Sequence, residues 1–154
     1  NNDYTPGRAL NMGISEASGD YVIILSAHCQ ITSLNLEEMV SKLEEGSVAG
    51  VWGKQIPIMY GKNIGRRYMW SNFKDEPQTN YFSKAEDRYF FHNAFSFFKT
   101  DFIKKNKFDE RYAGKEDRYW AIDMINNGNN VLYDSDSVVN HFYTQNGATW
   151  KGIG

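Results

Sequence analysis

Thr5-Pro6-Gly7-Arg8-Ala9-Leu10-Asn11-Met12-Gly13-Ile14-Ser15-Glu16-Ala17-Ser18-Gly19-Asp20-Tyr21-Val22-Ile23-Ile24-Leu25-Ser26-Ala27-His28 decides the fold class. Thr5 can cap a helix, and Pro6 suits its first position, where a missing N–H costs nothing. Leu10, Ile14 and Ala17 recur at helical spacing, and Gly19 is placed to end the element. Tyr21 to Leu25 is an unbroken apolar run, the pattern of a strand buried on both faces of a parallel sheet. The run stops abruptly at Ser26-Ala27-His28-Cys29.

Working outward, Leu36, Met39, Val40 and Leu43 share one face of a second amphipathic helix, with Gly46 beyond its end. Val48 to Trp52 reads as another short strand. The order helix, strand, helix, strand is that of a doubly wound α/β sheet. From Gly61 to Asp87 the chain turns polar, aromatic and poorly periodic, which predicts an inserted binding loop or a disordered one. Tyr89 to Phe98 is strand-like, and Thr100 is placed to cap a short helix through Lys105. A third clear helix is predicted from Glu116 to Asn127, with Trp120, Met124 and Ile125 apolar and Gly128 ending it. Val131 to Tyr133 and Val138 to Phe142 read as late, short strands.

The 154 residues suit a single domain able to bury roughly 70% of its unfolded surface. A net charge of −2 argues against a nucleic-acid partner, because phosphate neutralisation needs clustered Lys and Arg. One cysteine, Cys29, excludes an internal disulfide framework and any multi-cysteine metal site. The longest strong apolar run falls far short of the ~20 residues needed to span a bilayer, and no signal peptide is visible, so the default compartment is the cytoplasm. The chain opens Asn1-Asn2-Asp3 directly ahead of a helix, which we read as the interior of a longer gene product.

Ligands of open α/β sheets bind beyond the carboxyl ends of parallel strands, and Ser26-Ala27-His28 stands at such an end. His28 is either a ligand there or a solvated or structural histidine. Glu116-Asp117 is either a pair of favourable first-turn charges or a pair of which one faces a cleft as general base. His141, inside Val138-Val139-Asn140-His141-Phe142, is either a core histidine or a ligand. Arg66-Arg67 can grip a diphosphate bidentately or simply be solvated. The aromatics of Gly61 to Phe91 can pave a sugar-binding surface or fill the core. No Gly-x-x-x-x-Gly-Lys-Ser/Thr loop, Gly-x-Gly-x-x-Gly stretch or Gly-x-Ser-x-Gly elbow is present, which counts against phosphoryl transfer and serine hydrolysis.

Taken in order, three segments resemble the family-2 glycosyltransferases of GT-A fold. The first runs from Gly7-Arg8-Ala9-Leu10-Asn11 through Ala17-Ser18-Gly19-Asp20 to Leu25-Ser26-Ala27-His28, similar to the family's helix, strand and metal-binding segment, where Asp-x-Asp is usual. The Ser-Ala-His version is similar to a bacterial, rhamnosyltransferase-like subgroup, and an Asp-x-His relative occurs in polypeptide N-acetylgalactosaminyltransferases. The second, from His92-Asn93-Ala94-Phe95-Ser96 through Phe108-Asp109-Glu110 to Glu116-Asp117, resembles the acceptor-side segment ending in the Glu-Asp motif. The third, Val138-Val139-Asn140-His141, is similar to the late strand whose histidine can complete the metal site.

The resemblance implies an α/β GT-A domain over residues 1–154, a mixed sheet flanked by helices, with the family's first strand and helix missing ahead of Asn1. It implies inverting transfer of a hexosyl or deoxyhexosyl group from a nucleotide-sugar to a saccharide or lipid-linked acceptor, in surface polysaccharide assembly, in the cytoplasm or at the inner face of its membrane. Asp117, with Glu116, would be catalytic. Arg8, Asn11, Ser26, Ala27, Arg66 and Arg67 would contact the donor, and His28 and His141 would hold a divalent cation, Mn²⁺ or Mg²⁺. Ser26 in place of the usual first Asp removes a hard anionic oxygen and weakens that site. The alternative is a catalytically inactive, carbohydrate-binding derivative.

Overall fold

The computed structural model describes residues 4–64, 73–84 and 86–143. Four helices lie among them: α1 (Pro6–Glu16), α2 (Leu36–Glu44), α3 (Thr100–Lys105) and α4 (Glu116–Asn126). The strands are β1 (Tyr21–Leu25), β2 (Cys29–Ser33), β3 (Val48–Met59), β4 (Lys62–Asn63), β5 (Gln78–Thr79), β6 (Phe82–Ser83), β7 (Arg88–Tyr89), β8 (Phe95–Lys99) and β9 (Asn130–Tyr143).

The helix ends follow the expected chemistry. The Thr5 hydroxyl accepts from the Arg8 N–H at 3.3 Å with Pro6 opening α1, and Asn35 accepts from the Glu38 N–H at 3.2 Å at the start of α2. The expected Thr100 cap is corrected. Lys99 is the cap residue, without a side-chain bond, and Thr100 lies inside the first turn with its side chain buried.

The main sheet runs β1-β8-β3-β9-β2, with β4 added to β3 and β5 to β9, while β6 and β7 form a separate ribbon. Among the described residues only β3 and β9 pair in parallel; the other ladders are antiparallel. The sheet is therefore mixed, as the resemblance implied, rather than all-parallel. Consequently β1 is not buried on both faces: Tyr21, Ile23 and Leu25 are 36, 43 and 41% exposed. Its neighbour among the described residues is β8, with Tyr21 opposite Lys99 and Leu25 opposite Phe95. An apolar run signals a strand but carries no record of how many neighbours cover it.

The two late strands are one, β9, broken by a register jump: Gly53 pairs with Asp134 and the next residue, Lys54, pairs with Val138. A Cβ on Gly53 would lie 2.5 Å from a Phe95 ring carbon and 2.6 Å from the Ser137 carbonyl oxygen, so only glycine fits where the irregularity folds back. Part of the segment expected to be an irregular insert is also strand, with Gln78 opposite Tyr133.

Aromatic residues make up 16% of the sequence, and they fill both faces of the sheet. On one face Phe91, Phe98 and Phe108 interlock with Trp120 of α4, their ring centroids 5.1–6.1 Å apart, in a cluster that also takes in Ile14 of α1 and Ile103 of α3. On the other, Phe95, Phe97, Val51 and Val139 pack under Met39 and Leu43 of α2. Period-two alternation sorts neighbours in sequence, Phe97 from Phe98 and Val51 from Trp52, onto opposite faces.

Candidate functional site

Three segments separated in sequence converge where β1 ends. The first is the turn Ser26-Ala27-His28, closed by a bond from the Cys29 N–H to the Ser26 carbonyl at 2.9 Å. The apolar strand ends here because the chain must reverse at once to start β2, whose Cys29 lies opposite His141. Ser26 N–H donates to the Ala94 carbonyl at 3.0 Å and Phe142 N–H to the His28 carbonyl at 2.9 Å, which ties the turn to the loop before β8 and to β9. The rings of His28 and His141 lie 4.6 Å apart between centroids.

The second segment is His92-Asn93-Ala94. The third is the start of α4, where Lys115 adopts a left-handed conformation (φ 68°) and the helix begins directly with Glu116-Asp117. The Asp117 carboxylate accepts from its neighbour's N–H, that of Arg118, at 2.7 Å and from the Asn93 N–H at 3.3 Å. Burial raises its pKa, an effect opposed by those two N–H groups and by the Arg88 and Arg118 charges. Glu116 is 7% exposed, and burial, reinforced by the Asp117 charge, pushes it up to about 7. A first-turn carboxylate raised in this way is suited to exchanging a proton near neutrality.

Burial disfavours charge on the histidine side. Burial lowers the pKa of His28, and burial together with the His28 charge pushes His141 down to about 3. Neutral imidazole is the metal-ligating form. The Cys29 thiol, pushed up to about 12 by burial, is neither nucleophile nor thiolate ligand. Two imidazoles fit a borderline divalent ion, but Ser26 supplies no carboxylate, so a hard ion there would draw its remaining oxygen ligands from a bound phosphate or water. Among the described residues, one trio of ligating side chains lies within 4.8 Å of one another, Glu38, Asp134 and Asp136. There the Lys42 ammonium already bonds Glu38 and Asp134, each at 2.7 Å.

Of the other predicted residues, some lie in the His28 turn and some away from it. Arg8 is exposed on α1. Asn11 is buried, its amide engaged with the Phe108 backbone and with Glu110. Ala27 is exposed and Ser26 half-buried in the turn, and Arg66 and Arg67 lie outside the described residues. Of the aromatics expected to pave a surface, Phe73 and Phe90 are buried against Trp52, Tyr81, Tyr133 and one another, while Phe82 is 42% exposed against Tyr89.

Sequence reasoning missed Gln55. It is 2% exposed on β3, where its Oε1 lies 2.7 Å from His141 Nδ1 and its Nε2 lies 3.0 Å from His92 Nδ1. A glutamine amid apolar neighbours, Val51-Trp52 before it and Ile56-Pro57-Ile58 after it, was the available signal, since a buried amide demands partners.

Residues 1–107 match the family model described as "Glycosyl transferase family 2". The match takes in the His28 turn, Gln55 and His92-Asn93-Ala94, and stops before Glu116-Asp117 and His141. Among solved structures, the fold is similar to that in "Crystal structure of GalNAc-T7 with UDP, GalNAc and Mn2+", with a TM-score of 0.64 and 15% identity. The superposition covers 90% of this chain and 30% of that one. At that identity the likeness is one of fold, GT-A. No curated protein sequence matches the chain. No helix among the described residues is long and apolar enough to cross a membrane.

Proposed function

The chain belongs to glycosyl transferase family 2, and from that premise we propose that it transfers a sugar from a nucleotide-sugar to a saccharide acceptor, with inversion and with Asp117 as the base. The observation that carries this is the placement of Asp117. Two backbone N–H groups hold its carboxylate at 2.7 and 3.3 Å, and one of them belongs to the loop whose next residue, Ala94, holds the His28 turn. In the step, the acceptor hydroxyl oxygen bonds to the anomeric carbon on the face opposite the leaving group. Its proton passes to Asp117, and the bond from that carbon to the diphosphate oxygen breaks with its electron pair leaving on the diphosphate. Burial raises the basicity of Asp117, and the Asp117 charge in turn raises that of the buried Glu116 beside it.

The donor side is the His28–His141 pair. A divalent ion held by these imidazoles would offset the charge developing on the departing diphosphate. The solution of the GalNAc-T7 structure with UDP and Mn²⁺ supports this reading of donor and ion. On the likeness of Leu25-Ser26-Ala27-His28 to rhamnosyltransferase-like sequences of bacteria, we take the transferred group to be a hexose or deoxyhexose and the acceptor to be a free or lipid-linked saccharide of a surface polysaccharide, built on the cytoplasmic side. Ser26 favours a second reading, a domain that binds saccharide without transferring it, because it removes a metal-binding carboxylate.

The test is a thermal-shift titration with UDP, TDP and GDP, each with and without Mn²⁺, on the wild type and on His28→Ala. A ligand at 100 times its Kd stabilises the native state by about 2.7 kcal/mol. Manganese-dependent stabilisation that His28→Ala loses supports the donor site. Absence of any nucleotide response, with a retained response to oligosaccharide, overturns transfer in favour of the binding domain.

A further inference from the structure

Gln55 joins the two halves of the site. Its side chain is buried on β3, the central strand of the sheet, and it touches one imidazole with each end of its amide: His141 on β9 through Oε1 at 2.7 Å, and His92 in the loop before β8 through Nε2 at 3.0 Å. Amide oxygen only accepts and amide nitrogen only donates. His141 must therefore carry its proton on Nδ1 and leave Nε2 as the lone-pair nitrogen. His92 must do the reverse, with a lone pair on Nδ1 and a proton on Nε2. A neutral imidazole has one N–H and one lone-pair nitrogen, so fixing the role of Nδ1 fixes that of Nε2 in each ring. The His92 ring is in turn stacked on Trp52 at 5.2 Å and 17°, and the residue after it, Asn93, holds Asp117.

We propose that Gln55 is a positioning residue that imposes opposite tautomers on His141 and His92, making Nε2 the ligating nitrogen of His141 and fixing the Asn93 loop that holds Asp117. The ligating part rests on the reading of His28 and His141 as the ion-binding pair; the tautomers do not. Ligating histidines are commonly oriented by a hydrogen bond to their second ring nitrogen, and removing that partner costs roughly 10–100-fold in metal affinity. Here the orienting group is an amide rather than a carboxylate, which keeps the pair of imidazoles uncharged while dictating which nitrogen of each is basic.

Two-bond ¹H–¹⁵N correlation spectra of histidine-labelled protein, free of metal and nucleotide, read both tautomers directly. The expected result is His141 protonated at Nδ1 and His92 at Nε2. Gln55→Met, close in volume, removes both bonds and should release both tautomers. Gln55→Glu retains an acceptor for His141 but has no donor for His92, so His141 should keep its Nδ1 proton while His92 changes. Mn²⁺ affinity, read by electron paramagnetic resonance with UDP present, should fall about 10–100-fold in Gln55→Met and stay closer to wild type in Gln55→Glu. His141 protonated at Nε2 in the wild type, or tautomers and Mn²⁺ affinity both unmoved in Gln55→Met, overturns the proposal. Correct tautomers in a wild type that binds no Mn²⁺ would support the positioning role and count against the ion site instead.

Discussion

Asn11 and Phe108, 97 positions apart in the chain, hold each other by a reciprocal pair of hydrogen bonds. Asn11 Nδ2 donates to the Phe108 carbonyl at 2.9 Å, and Asn11 Oδ1 accepts from the Phe108 N–H at 3.1 Å. One side chain thus satisfies both backbone groups of a buried residue, and a third bond reaches Glu110 at 3.0 Å. One turn earlier, a Cβ on Gly7 would stand 2.9 Å from the Asp109 carbonyl oxygen. Together Gly7 and Asn11 clamp α1 against the segment that leads into α4 and so to Asp117.

Asn11→Ala should leave those two backbone groups of Phe108 without partners, at a cost of about 2–4 kcal/mol. For a chain of this size that lowers Tm by roughly 5–15 °C. Thermal denaturation measures it. A variant as stable as wild type but unable to bind nucleotide would instead make Asn11 a donor contact.

Asp117→Asn should lower kcat by about 10²–10⁴-fold while leaving the nucleotide-induced thermal shift unchanged, because the amide keeps the shape and loses the basicity. Release of nucleoside diphosphate in the presence of acceptor reads the rate. Undiminished turnover would remove Asp117 from the chemistry.

Glu116 gives a pH dependence of stability with a definite sign. Its carboxyl titrates at about 7 in the folded chain, against an ordinary value of 4.5. Between those values the native state holds a proton that the unfolded chain has lost, so stability falls as pH rises through this window. Glu116→Gln has no proton to lose. It should match wild type near the acid end of that window and exceed it above neutrality, as urea denaturation at a series of pH values would register.

Gly53→Ala should be among the most damaging single-methyl additions to the chain. The new Cβ meets the Phe95 ring at 2.5 Å and the Ser137 carbonyl at 2.6 Å, and the second of these is backbone. A cost of about 1–3 kcal/mol or more follows from overpacking a buried sheet. The denaturation midpoint reports it, and Gln55, two residues along β3, should lose its dual hydrogen bonding in the same variant.

Much of this was legible residue by residue. Pro6 after Thr5, the spacing of Leu10 and Ile14, and the shared face of Leu36, Met39, Val40 and Leu43 are local signals, and each helix forms where they stand. Glu116-Asp117 at a helix start and His28 at a strand end were likewise readable, because a helix terminus or a strand end is a property of a few consecutive residues. Asn11 was harder: the same motif suits a donor contact or a packing contact, and only its partner, 97 residues away, separates them.

The sequence by itself determined where the helices and the strand at Tyr21–Leu25 form, the α/β class, and the residue types available for acid–base and metal chemistry, since periodicity, caps and charge are written within a turn or two of the chain. Only the tertiary structure decided that β1 is antiparallel to its neighbour and exposed on one face, that two late strands are one, and that Gln55 stands between His92 and His141, 37 and 86 residues from it. Strand pairing and burial depend on contacts between residues far apart in sequence, and a buried amide reveals its purpose only when both of its partners have been brought to it.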